Sequence, residues 1–126
     1  MAEPTREDAQ LLVQLATLFA ESGVREASSW VWSDEFVSDH DEFNKKYPPG
    51  STGFDRLMTA AGYYETIGTL WKHKLISEEL LFDWLLIEPL WNRIKPVLVG
   101  IREEMGESRL FENFEAMAEA SVPAQA

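Results

Sequence analysis

The sequence predicts an all-α fold, a single compact array of about five to seven helices with a long central helix and a proline-kinked partner helix. Three observations predict it. Apolar residues recur at spacings of three and four, strand-like alternation of useful length is missing, and Ser, Thr or Asp precedes several of the apolar runs. The chain has 126 residues, 45% of them hydrophobic, with five Trp, seven Phe and three Tyr. That is material for one core, and a domain of this size buries roughly two-thirds of the surface its unfolded chain exposes. Residues 1–126 are therefore read as one domain, with 1–4 and 121–126 expected to fray.

Thr5 stands where a helix cap belongs and Asp8 holds the capping-box position. Leu12, Leu15, Ala16 and Phe19 follow on one face until Gly23 ends the run. From Val24 to Tyr47 two helices are expected, with Trp32, Phe36, Phe43 and Tyr47 near one face, and Ser33-Asp34 or Ser38-Asp39 marking the break. The loop Tyr47-Pro48-Pro49-Gly50-Ser51-Thr52-Gly53 divides the chain, its prolines removing backbone donors and its glycines permitting turn geometry.

Phe54, Leu57, Ala61, Tyr64, Gly68, Trp71 and Leu75 then line one stripe of a long helix, in which the small Ala61 and Gly68 allow a neighbour to approach closely. Ser77 caps a further segment, and Leu80, Trp84, Ile87, Trp91, Ile94, Leu98 and Ile101 form a second stripe, expected to face the first. Pro89 suits the first turn of a new helix, so the segment breaks near Glu88. Pro96 falls inside that helix, where it leaves the Asn92 carbonyl without its partner. Ser108 precedes a short last helix carrying Leu110, Phe111, Phe114, Met117 and Ala118.

Charge and composition remove several functions. Eleven Lys and Arg against 22 Asp and Glu give a net charge of −11, which repels phosphate backbones and argues against direct nucleic-acid binding. With no cysteine, disulfides, thiolate metal sites and cysteine nucleophiles are excluded. The most apolar stretch, Leu80 to Ile101, carries Asp83, Glu88, Arg93 and Lys95, so no membrane span is expected. The polar, acidic opening residues are unlike a secretory signal, and the expected location is cytoplasmic.

No set of residues with a defined chemistry emerges. Helical metal sites place a carboxylate three residues before a histidine, or two histidines four apart; Leu70 precedes His73 and Val37 precedes His40 at that distance. Pro49 to Gly53 lacks the lysine and glycine spacing of a phosphate loop, and no nucleophile elbow occurs. No metal, cofactor or catalytic residue is assigned. A buried charge needs a partner, and Glu65 on the long helix and Arg102 near the end of the kinked one would meet if those helices pack antiparallel. The pair is either a structural clamp or the polar end of a ligand pocket lined by Tyr64, Trp71, Trp84 and Trp91.

The same residues carry a family likeness. Tyr64-Glu65-Thr66-Ile67-Gly68, Leu75-Ile76-Ser77-Glu78-Glu79-Leu80, Trp91-Asn92-Arg93-Ile94-Lys95-Pro96 with Arg102, and Phe111-Glu112-Asn113-Phe114-Glu115 resemble the bacterial "domain of unknown function 4760" family. The resemblance covers roughly the second half of the chain. It implies a helical fold and no reaction, and Glu65, Gly68, Trp91, Pro96 and Arg102 match its pattern.

The function expected on these grounds is a non-enzymatic protein-interaction module, binding a protein partner or a second copy of itself. Trp30, Trp32, Phe36 and Phe43 are its expected exposed surface. The alternatives are an acidic decoy or antitoxin-like protein that binds a basic partner, and a small-molecule binder built on Glu65 and Arg102.

Overall fold

The computed structural model describes residues 3–122. Among them are seven α-helices and no strand: α1 (Arg6–Glu21), α2 (Val24–Val31), α3 (His40–Lys46), α4 (Thr52–Lys72), α5 (Glu78–Trp84), α6 (Ile87–Met105) and α7 (Glu112–Ala120). The fraying expected at residues 1, 2 and 123–126 lies outside the described residues.

Short-range chemistry sets most of the boundaries. Thr5 and Asp8 close the capping box of α1, and Asp39, Ser51 and Ser77 accept from the third backbone N–H of α3, α4 and α5. Of the two breaks offered between Val24 and Tyr47, Asp39 starts the second helix. Gly50 takes φ +93° in the loop before α4. Gly53 lies in the first turn of α4 and serves space instead: a Cβ there would fall 2.2 Å from the Tyr47 ring.

The long helix α4 is central, packed closely against α7 and α2, while α6 packs against α7 and α3, and α1 against α2 and α5. The expected face-to-face pairing of α4 with α6 is therefore corrected, because α7 occupies the space between them. Phe114 of α7 stacks on Tyr64 of α4 at 5.4 Å and meets Trp91 of α6 edge-on at 5.0 Å. Flanked on two sides, α4 buries more than one stripe: Gly53, Ala60, Tyr63 and Ile67 are buried beside Leu57, Ala61 and Gly68. Leu75 lies beyond the end of α4 and is 62% exposed.

Pro96 sits inside α6, which runs from Ile87 to Met105. Pro96 and Asn92 are both exposed, which places the turn whose backbone bond Pro96 removes on the solvent side of α6.

Candidate functional site

Glu65 and Arg102 do not meet; each grips α7 from a different side. Phe111, the residue before α7, has no capping side chain and takes φ +59°. Glu65 supplies the cap from α4: Oε1 accepts from the Phe114 backbone N–H at 2.8 Å and Oε2 from the Asn113 side-chain amide at 2.9 Å. A carboxylate there also complements the positive end of the α7 dipole. Ser108, expected to start this helix, lies upstream of it.

Arg102 works from α6. Its Nε donates to the Leu110 carbonyl at 2.6 Å, its Nη1 pairs with Glu115 at 2.8 Å, and its guanidinium lies 5.7 Å from the Trp91 ring centre. At 12% side-chain exposure, it ties the 106–111 turn and the start of α7 to α6. Gly68 completes the seat: a Cβ added there would lie 2.6 Å from the Asn113 carbonyl oxygen, so α7 approaches the bare backbone of α4.

The aromatic residues expected to share one pocket are dispersed. Trp91 is buried at 3% exposure, Tyr64 is half-buried with its phenol pushed up by burial, and Trp84 is half-buried on α5. Trp71, at the far end of α4, lines a cavity of about 490 Å³ that neither Glu65 nor Arg102 reaches. Sequence reasoning missed this cavity, which forms where the start of α1, the end of α4 and the start of α5 meet. Asp8 holds that junction together. Its Oδ2 accepts from the Thr5 N–H and hydroxyl, and its Oδ1 from the Ser77 N–H at 2.9 Å. The Thr5 backbone N–H is the main cause holding its carboxyl below the usual range.

Of the four aromatic residues expected to be exposed, three are core. Trp30 and Phe36 are 6% exposed and Phe43 is fully buried, in a cluster that includes Tyr47. Helical spacing could not place Phe36, which lies in the loop after α2 and folds back onto Trp30 at 5.5 Å. Trp32 alone stays out, 53% exposed at the end of α2. The Arg93 guanidinium lies 5.3 Å from its ring centre and 5.2 Å from that of Phe36. Arg93 is itself fixed, its Nε donating to the Val31 carbonyl and its Nη2 to the Ser33 carbonyl at 3.0 Å.

Neither histidine joins a metal set, and no group of three His, Cys, Asp or Glu suited to an ion occurs among the described residues. His73 is the exposed residue closing α4. His40 bridges α3 to α6: its ring covers Gly100 and its Nε2 meets Glu104, which also accepts from Asn44 at 2.8 Å. The Asn44 amide, then His40, hold the Glu104 carboxyl below the usual range.

No curated protein and no solved structure matches the chain. A family match does exist, and it extends over residues 4–121 rather than the second half alone, taking in all of α1 to α7. The chain belongs to the family described as domain of unknown function DUF4760.

Proposed function

We propose that this chain is a non-enzymatic protein-interaction module whose contact surface centres on Trp32. The observation that carries this is an indole 53% exposed, with a guanidinium against it that two backbone carbonyls already immobilise. Tryptophan and arginine dominate the energetics of protein interfaces, and a side chain fixed before binding loses less freedom on binding. Two other large exposed apolar side chains, Leu86 at 86% and Leu75 at 62%, lie in helix connections, whereas Val13 and Leu18 lie on α1 and Met105 ends α6.

Asp34 and Glu35 are exposed close to Trp32, so the fitting partner has an apolar recess with a basic rim. The test compares wild type with Trp32→Ala as bait in native-host lysate, at low and high salt, after circular dichroism shows equal helicity. A partner retained by wild type at high salt and lost by W32A is expected. A partner held equally by both would move the contact away from Trp32. One lost only at high salt would favour the acidic-decoy alternative.

A further inference from the structure

We propose that this chain forms a weak antiparallel homodimer through the outer face of α1, with a two-fold axis passing close to Val13 and Gln14. The helix itself defines the face. Leu11, Leu15 and Phe19 turn towards the core, so Arg6, Gln10, Val13, Thr17 and Glu21, spaced by three and four, form the opposite, exposed stripe. Val13, at its middle, is 61% exposed.

Charge determines what can cover this stripe. Asp, Glu, Lys and Arg make up 26% of the chain, whose net charge is −11, so two copies repel one another over most approaches. Residues 9–20 of α1 form the longest stretch of the sequence without any of the four. A second acidic copy can settle there without carboxylates facing carboxylates, whereas a basic partner finds nothing in that stretch to engage.

The two ends of the stripe carry the complementarity. Arg6 is the first residue of α1 and Glu21 the last, each at the end of the helix whose dipole opposes its charge. Neither makes an ion pair among the described residues. A second α1 laid antiparallel reverses both relations: Arg6 comes to the negative end of the other helix beside its Glu21, and Glu21 to the positive end beside its Arg6. The level midway between residues 6 and 21 lies between Val13 and Gln14, so in this register the two Val13 side chains meet at the centre and Gln10 lies opposite Thr17. The Thr17 hydroxyl donates to the Val13 carbonyl at 2.9 Å, which leaves its oxygen free to accept from Gln10 of the second copy. A shallow depression of about 450 Å³, lined by Ala9, Gln10, Val13 and Gln14, receives Gln14 and Thr17 of the other chain. The seam is one helix of 16 residues, about 24 Å long, and buries less than the about 800 Å² per partner of a standard interface. The dimer is therefore reversible, with a dissociation constant on the order of 0.1 mM.

Sedimentation equilibrium at physiological salt, from about 20 µM to about 1 mM protein, should show the mass rising from that of the monomer towards twice that value. Val13→Glu places two carboxylates against each other at the axis and should weaken association at least about tenfold, with the melting temperature of the dilute monomer unchanged because the side chain is exposed. R6E and E21R test the register. Each alone sets like charges against each other at both ends and should weaken association about tenfold, while an equimolar mixture of the two pairs opposite charges at both ends and should dimerise. A monomeric mass throughout the range, a V13E protein that dimerises as wild type does, or a mixture no more associated than either variant alone would each overturn the proposal.

Discussion

Two glycines on α4 should respond with opposite sign to the same substitution. Gly62 and Gly68 both lie in the helix interior, where alanine is favoured over glycine by about 1 kcal/mol. A Cβ at Gly62 meets nothing within 4 Å, so Gly62→Ala should realise that gain. At Gly68 it would lie 2.6 Å from the Asn113 carbonyl oxygen and 2.7 Å from the carbonyl carbon, against ordinary contacts of at least 3.4 Å. Those atoms are backbone, so α7 itself must retreat. Crowding of this kind costs about 1–3 kcal/mol, and displacement of α7 lengthens the bonds from Asn113 and Phe114 to Glu65, each worth about 1.5–3 kcal/mol at full strength. After the helix gain is subtracted, G68A should lose about 2 kcal/mol. For a domain of this size 1 kcal/mol moves the melting temperature by about 4 °C. Thermal melts should place G62A about 4 °C above wild type and G68A about 8 °C below, with urea titrations giving the same order. A G68A protein as stable as wild type would show that α7 does not rest on the bare backbone of α4.

Glu65→Ala removes both acceptors and should cost about 2–3 kcal/mol in urea unfolding, whereas Glu65→Gln keeps one and should cost about half as much. Burial pushes the Tyr63 phenol up to about 12, and its hydroxyl donates to the Leu15 carbonyl at 2.5 Å. The fold thus favours the neutral phenol, and its contribution is complete below pH 10 and declines as pH rises towards 12. Tyr63→Phe should cost about 1 kcal/mol at neutral pH and flatten the alkaline decline in melting temperature. Asp8 shifts the other way: its stabilisation is present above the normal carboxyl range and is lost as pH falls through its lowered value. Asp8→Asn should lower the melting temperature at neutral pH and narrow the gap to wild type in acid.

Features legible in the sequence were those set within a turn or two of chain. Thr5, Asp39, Ser51 and Ser77 act as caps, and the spacing of apolar residues located the helices. Periodicity failed where the chain leaves the helix. Phe36 and Trp32 shared a helical face on paper, yet the loop 32–39 buries one and exposes the other. It also failed where a helix has neighbours on two sides, because a single stripe cannot describe the wider buried surface of α4. The cavity was invisible for a related reason: Thr5, Asp8, Trp71, Lys74 and Ser77 come from three helix ends that only the fold brings together.

Glu65 and Arg102 show how a correct residue choice can carry a wrong partner. Both bear charge beside an apolar stripe, and burial does require each to be paired, but opposite sign suggested pairing with one another. The better clue was a deficiency elsewhere. Phe111 and Glu112 offer no Ser, Thr, Asn or Asp to begin a helix, so α7 must take its cap from a distant residue. Glu65 lends that cap, as Asp8 lends an acceptor to Ser77 at the start of α5. In both places a longer helix holds a shorter one by a carboxylate that local spacing cannot assign. Helices of seven and nine residues are too short to persist on propensity alone, so these borrowed acceptors and the packing around them decide whether α5 and α7 form.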